Sequence, residues 1–132
     1  MKTVVEIRSA DEASVLKIEV LERYSADDYR FAAYVSNGCF SGTITAGTFL
    51  CGPPSRLFDD LDQSYQGWKG SRIWHSTGHE LTLTATSGSR GSVQMKVEMH
   101  QLMLDTRLCV TFDIEGGTLQ RTACDMRAAF GS

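Results

Sequence analysis

Two of the three histidines, His75 and His79, have the spacing of two metal ligands on one face of a helix. The pattern around them is instead that of a strand followed by a turn, because Trp74 precedes His75 and Gly78 lies between the histidines. No glutamate follows His75 as it would in a metalloprotease helix. We therefore expect turn or surface histidines and no metal site, and we place His100 on the polar face of a strand.

Three aspartates, Asp59, Asp60 and Asp62, could serve as an acid–base pair or a cation site, since two close carboxylates shift each other's pKa. Asp59 and Asp62 share a face at helical spacing. A solvated acidic face near the beginning of a helix, where the helix dipole favours negative charge, explains them as well. We favour this second interpretation.

Motifs for a nucleophile or a nucleotide are missing from the sequence, which contains no G-x-S-x-G, P-loop or G-x-G-x-x-G. We therefore predict no catalytic and no cofactor-binding residue. The four cysteines form no C-x-x-C pair, so we predict reduced thiols rather than a zinc or thioredoxin-type site. Cys39 and Cys124 are expected to be buried, whereas Cys109 lies on the polar face of a strand, exposed or covered by a helix. The exposure of Cys51 is left open.

Residues 66–74 combine two tryptophans, two glycines and two basic residues between a predicted helix and a predicted sheet. Tryptophan and arginine are common in binding hot spots, which favours a recognition surface. In the structural alternative, which we favour, Trp68 covers the helix–sheet core and Lys69 and Arg72 flank it in solvent. The candidate binding surface comprises Asp59, Asp60, Asp62, Trp68, Lys69, Arg72, Trp74, His75 and His79.

Period-two alternation of apolar and polar residues predicts the strands that must position these side chains. It is clearest over residues 80–86, 92–100 and 107–115, and it predicts four strands in the first half. Asn37 and Gly38 suggest a two-residue type I′ hairpin turn, and residues 87–91 suggest another hairpin turn. One apolar and one polar face per strand is typical of antiparallel sheets.

Two segments follow a helical period instead. The first begins after Pro53 and Pro54 and ends at Gly67, and the second covers residues 118–130 with Thr118 as an N-cap candidate. Their apolar stripes consist of Leu57, Phe58, Leu61 and Tyr65 in the first and Leu119, Ala123, Met126 and Phe130 in the second. No internal sequence repeat is apparent. The predicted fold is α+β, a mostly antiparallel sheet of about seven or eight strands with two helices, one mid-chain and one C-terminal.

The chain has 132 residues, which predicts a single domain over residues 1–132. Its net charge of −3 and pI near 5.5 disfavour a nucleic-acid partner. The sequence shows no apolar run of signal-peptide length at its beginning and none long enough to span a bilayer. We therefore expect a cytoplasmic protein without a membrane partner, as a monomer or a homodimer.

A set of apolar, aromatic and glycine positions forms the pattern F-x-x-L, W-x-G, L-x-L-x-A-T and G-x-V over residues 54–130. These positions are Phe58, Leu61, Trp68, Gly70, Trp74, Leu81, Leu83, Ala85, Thr86, Gly91, Val93, Met95, Val97, Gly117, Leu119, Ala123 and Phe130. The pattern resembles a family of small, uncharacterised bacterial proteins, a domain of unknown function. This resemblance implies shared packing and no agreed activity. Bacterial immunity proteins of similar size and pattern offer an analogy for function.

Two main functions remain as hypotheses. The first, which we favour, is a non-catalytic binding or regulatory protein, immunity-like in that it neutralises a partner protein. The alternative is a small-ligand-binding protein or an enzyme, with a pocket between the sheet and the mid-chain helix. A structural homodimer formed through an edge strand is a further alternative.

Overall fold

The alternating segments form eight strands and the helical segments form two α-helices in the computed structural model, which describes residues 3–88 and 91–131. The first half contains β1 (Val4–Arg8), β2 (Val15–Arg23), β3 (Tyr29–Ser36), β4 (Ser41–Gly47) and α1 (Ser55–Gln63). The second half contains β5 (Ser71–His75), β6 (Leu81–Ser87), β7 (Val93–Gln101), β8 (Thr106–Ile114), a 3₁₀ turn (Gly116–Thr118) and α2 (Leu119–Phe130). The predicted α+β class, with one mid-chain and one C-terminal helix, is confirmed.

The two halves repeat the same topology, four antiparallel strands in sequence order followed by one helix. The predicted sheet is therefore two separate four-stranded sheets, ordered β1-β2-β3-β4 and β5-β6-β7-β8. Each helix contacts the first strand of the other half, since α1 packs on β5 and α2 packs on β1. The sequence pattern predicts this order of strands and helices, but it does not predict the division into two sheets.

One face of each sheet is apolar and buried, as the alternation predicts. The buried side chains of both sheets and both helices form one connected cluster, so neither half has a core of its own. Strand β4 crosses one end of the second sheet. A Cβ atom added at Gly42 would lie 2.6 Å from the Leu108 side chain, and the Gly47 carbonyl accepts a bond from the Thr77 N–H at 3.0 Å.

A chain of aromatic contacts joins the two sheets to the C-terminal helix. Phe31 of β3 lies with its ring centroid 5.8 Å from that of Phe130 and 6.0 Å from that of Trp74. Phe130 also meets Tyr29 edge-to-face at 5.2 Å, and the Tyr29 hydroxyl donates a buried hydrogen bond to the Phe130 carbonyl. Aromatic pairs in these geometries add stabilisation beyond the area they bury.

The helices begin near the predicted positions but differ in their ends. Helix α1 begins directly after Pro54, as predicted, yet it ends at Gln63, and Tyr65 lies beyond it with an exposed side chain. Gly67, predicted to end the helix, lies instead in the following turn with a φ of 108°. The apolar stripe of α2 is buried as predicted, but Thr118 makes no side-chain cap, because its hydroxyl donates to the Glu115 carbonyl at 2.8 Å.

The β3–β4 connection is not the predicted two-residue turn. Ser36 pairs with Ser41, so four residues close the hairpin. The Asn37 side chain accepts bonds from the Cys39 and Phe40 N–H groups at 3.0 and 2.8 Å, and this local capping favours the longer loop. The predicted β6–β7 hairpin is present, with the Gly88 N–H bonded to the Ser92 carbonyl; residues 89 and 90 of its turn lie outside the described residues.

Neither helix is long and apolar enough to cross a bilayer within the described ranges.

The contacts of Phe31 predict a large loss of stability when its ring is removed. Phe31→Ala deletes a fully buried ring between two others, and we expect the free energy of unfolding to fall by about 3–5 kcal/mol. Urea denaturation measures this change. Phe40→Ala is the matched control, because Phe40 is exposed and its removal is expected to stay within about 0.5 kcal/mol. Equal effects of the two substitutions would contradict this view of the core.

The β1–β2 turn predicts a pH dependence. Asp11 accepts hydrogen bonds from the Ser9 hydroxyl at 2.5 Å and the Ala13 N–H at 3.0 Å, and these bonds, Ser9 first, lower the pKa of Asp11 below its ordinary 3.8. The ionised form therefore adds stability above pH 3.8 that is lost as the pH falls through the folded-state value. Asp11→Asn should lower the urea midpoint at neutral pH, and its difference from wild type should shrink in acid. A constant difference across this range would show that the Asp11 charge is not involved.

Candidate functional site

The three aspartates of α1 do not lie near the beginning of the helix, and this prediction is wrong. The first turn of α1 contains no acidic residue, and Asp59 is its fifth residue. Ion pairs, rather than the helix dipole, stabilise two of them: Asp59 accepts a bond from Arg127 of α2, and Asp60 pairs with Arg72 at 2.8 Å. The bond to Asp59 raises the pKa of Arg127 above its ordinary value. Asp62 is half-buried at the other end of the helix.

Arg72 connects the edge strand β5 to helix α1. Its Nη1 donates to Asp60 Oδ1 at 2.8 Å and to Ser64 Oγ at 2.7 Å, and its guanidinium lies 5.3 Å from the Trp68 ring centroid. The side chain is about one-third exposed, so these contacts position the strand and the helix more than they stabilise the fold. Lys69, beside them, is exposed.

The two tryptophans lie in or against the core. Trp74 is only 7% exposed, packs on Phe31, and donates its indole N–H to the Gly52 carbonyl at 3.0 Å. Trp68 is partly buried, and its indole N–H donates to the Ala85 carbonyl at 3.4 Å. In this arrangement Trp74 cannot present its ring to a partner. One face of the Trp68 ring is covered by the Arg72 guanidinium instead of by the core.

His75 ends β5, His79 lies in the β5–β6 turn, and the two rings stack with centroids 4.0 Å apart. His75 Nδ1 lies 2.9 Å from the Ser76 carbonyl and 3.9 Å from Cys51 Sγ, and His79 occupies the turn with a positive φ of 62°. Within the described part of the chain, no group of three histidine, cysteine or acidic side chains could hold a metal ion.

The cysteines are free thiols, and two of them differ from expectation. Cys39 and Cys124 are exposed, not buried. Cys39 lies in the four-residue β3–β4 loop, and Cys124 follows the buried Ala123, so helical rotation turns it away from the core. Cys109 is exposed on the outer face of β8, and Cys51 is half-buried.

A solvent-open groove of about 350 Å³ runs between α1 and the edge strand β5. The helix forms one wall and the strand forms the other, and the Arg72–Asp60 pair joins the two walls. Seven residues line the groove: Arg56, Leu57, Asp60, Ser71, Arg72, Ile73 and Trp74. Three residues of the candidate surface, Asp60, Arg72 and Trp74, therefore lie at this groove. Asp59 contacts α2 instead, and the two histidines stack at the end of β5.

Backbone directions along β5 follow from one bond, in which the Ser76 N–H donates to the Leu81 carbonyl at 2.9 Å. Bonded pairs alternate along an antiparallel ladder, so the even-numbered residues of β5 bond to β6. The N–H and C=O groups of Ser71, Ile73 and His75 therefore point away from the sheet. Because β5 is an outermost strand, these groups form a free edge among the described residues.

Two edge strands, β1 and β4, carry features that oppose pairing with a further strand, and β5 carries neither. On β1 the outward positions include Glu6 and Arg8, and charge on an edge opposes pairing. On β4 the Gly47 carbonyl is already bonded to Thr77. None of the outward residues of β5 is an acidic or permanently charged residue, and the Ile73 side chain is 61% exposed.

One exposed apolar segment received no role from the sequence. Leu102, Met103 and Leu104 form the tip of the β7–β8 hairpin, and Met103 is 93% exposed. The available signal was the interruption of the alternating pattern by three consecutive apolar residues between two strands.

Comparison with known proteins adds a fold and a family. No curated protein is significantly similar to the chain. A chain from "Crystal structures of trypanosoma bruciei MRP1/MRP2" is similar in fold, with a TM-score of 0.51 and 14% identity over 97% of this chain and 84% of that chain. At this identity the similarity concerns the fold alone. The profile of a family of unknown function, DUF6228, matches residues 7–132, which agrees with the resemblance to a domain of unknown function. The chain belongs to the DUF6228 family.

Proposed function

We propose that the protein is a non-catalytic protein-binding module that takes up an extended segment of a partner protein along β5. The free edge of β5 is the observation that carries this proposal. Its three outward residues offer N–H and C=O groups that no strand pairs within the described part of the chain, and an extended segment satisfies such groups by adding a strand to the sheet. The groove beside α1 provides room for the side chains of the added strand on one face.

Side chains at this edge favour a partner segment with apolar residues at alternate positions. Ile73 is exposed on the outer face of the sheet, where an apolar side chain of the added strand would cover it. On the other face, Arg56 and Leu57 of α1 line the groove. Arg56 forms an exposed ion pair with Asp27 at 2.8 Å, and such pairs are weak enough to exchange for a polar group of the partner.

More specifically, the proposed binding module is an immunity-like protein, which neutralises the partner that it binds. The small size and the net charge of −3 support this form, since negative charge speeds encounter with a basic partner. Asp59 and Asp60 contribute little to such attraction, because both are paired with arginines. The alternative of a ligand or enzyme pocket at this place gains no support from Trp74, which is buried and hydrogen-bonded to Gly52.

Substitution of Ile73 tests the edge without removing a bond of the sheet. The Ile73 N–H points away from β6, so Ile73→Pro leaves the ladder intact but blocks strand addition. We expect peptides selected from a random library against the full chain to bind Ile73→Pro at least about tenfold more weakly. The matched control, Ile73→Thr, keeps the N–H and the β-branched shape, so its affinity is expected to stay near that of wild type. Circular dichroism and urea midpoints check that both variants fold.

Hydrogen exchange locates the same contact independently. Bound peptide should slow exchange of the Ser71, Ile73 and His75 amides, which point away from β6. Selected peptides that bind Ile73→Pro as tightly as wild type, and protect amides elsewhere, would overturn the proposal.

A further inference from the structure

The opposite edge of the second sheet, β8, pairs with no further strand among the described residues, and its free positions follow from the hydrogen bonds of β7. The His100 N–H donates to the Glu80 carbonyl at 2.9 Å, so the even-numbered residues of β7 bond to β6. The odd-numbered residues of β7 then bond to the even-numbered residues of β8. The N–H and C=O groups of the odd-numbered residues of β8 consequently point outward.

Both ends of this free edge are fixed by neighbouring backbone. At one end, the Asp113 carbonyl accepts the Ala10 N–H at 2.8 Å, so the β1–β2 turn occupies the place of a further strand. At the other end, the strand closes into the β7–β8 hairpin before Thr106. The free positions are therefore Arg107, Cys109 and Thr111, whose side chains are all exposed on the outer face.

We propose that a second copy of this chain pairs with β8 across this edge, antiparallel and around a two-fold axis at Cys109. In this register Arg107 lies opposite the partner's Thr111, and Cys109 lies opposite the partner's Cys109. It is the register that uses all three free positions of both strands, with two hydrogen bonds in each pair and about six in all. A two-fold axis suits this edge, because antiparallel pairing lets one surface complement itself.

Charges along β8 favour a second copy over an unrelated strand. The outward residues at the two ends, Arg107 and Asp113, have opposite sign. Antiparallel pairing at Cys109 places Arg107 diagonally across from the partner's Asp113 on the same face, within reach of a long side chain. Within the three free positions no like charges lie directly opposite each other, since Arg107 faces a threonine. Beyond them the partner's Asp113 comes opposite Asp105, which lies in the hairpin 3.4 Å from His100. The two-fold axis makes this attraction occur twice.

The same register gives the apolar hairpin tip a neighbour. Continuing the pairing beyond Arg107 places residue 105 opposite position 113 of the partner, where the partner's β1–β2 turn ends its free edge. Leu102, Met103 and Leu104 precede this residue in the hairpin tip and are exposed in the single chain. The second copy would remove part of this apolar surface from water, which favours association.

Cross-linking tests the register. Directly opposite residues in a bonded pair have Cα atoms about 5.5 Å apart, which is within the range of a disulfide. A chain with Cys39, Cys51 and Cys124 replaced by serine keeps only Cys109. Mild oxidation of this variant with copper phenanthroline and oxygen removes two electrons and two protons from two thiols. We expect it to yield a covalent dimer. The matched variants that keep only Cys39 or only Cys124, both also exposed, should yield little.

Light scattering over a concentration series tests the pairing itself. Wild type should form a dimer, and Thr111→Pro, which removes an outward N–H and no bond of the sheet, should raise the dissociation constant at least tenfold. Thr111→Val keeps that N–H and should remain dimeric. Ile73→Pro should also remain dimeric, because β5 and β8 are opposite edges of the sheet. Peptide binding and dimer formation are therefore tested by different variants, and either can fail without the other.

Three results would overturn the inference: a wild-type chain that is monomeric at every concentration, a dimer unaffected by Thr111→Pro, or equal cross-linking through Cys39 and Cys109.

Discussion

The packing of the two sheets against each other around one shared core is the constraint on which the rest of the structure depends. Each sheet has one apolar face, and the helix that follows it contacts the first strand of the other half, so neither half can bury its apolar face alone. Phe31 lies at the centre of this packing, because its ring contacts both Trp74 of the second sheet and Phe130 of the last helix. The position of Trp74 in turn holds β5 and the Gly52 backbone before α1 together.

This packing leaves strand edges as the surfaces where recognition can occur. The inner faces and the helix stripes are buried in the core, and the groove beside α1 is open to solvent. Antiparallel sheets that do not close into a barrel keep two edges each, and unpaired edges bind other strands unless something prevents it. Charge on β1 and the Thr77 contact on β4 act against pairing, whereas the outward residues of β5 carry no acidic or permanently charged side chain.

Much of the fold was predictable because alternation and helical period report which side chains face the core. The predicted strands, both helices and their buried stripes other than Tyr65 agree with the pattern in the described residues. The errors arose where the outcome depends on partners distant in sequence or on local capping. Asp59 and Asp60 are stabilised by Arg127 and Arg72, and the Asn37 side chain favours a longer loop than the Asn-Gly pair suggests. The candidate surface combined residues that the structure separates, because period-two patterns do not tell which strand lies at an edge.

Because the two halves share one topology, equivalent positions in them can be compared. The central outward residue of the first strand is Glu6 in the first half and Ile73 in the second. Both side chains are exposed, so packing requires neither type at its position. The first half shows that this topology accepts a charge that protects the edge, and the second half lacks one where an apolar side chain borders an open groove. An edge without such protection is open to pairing with another strand, which is the physical basis of the proposal that β5 takes up an extended segment of a partner.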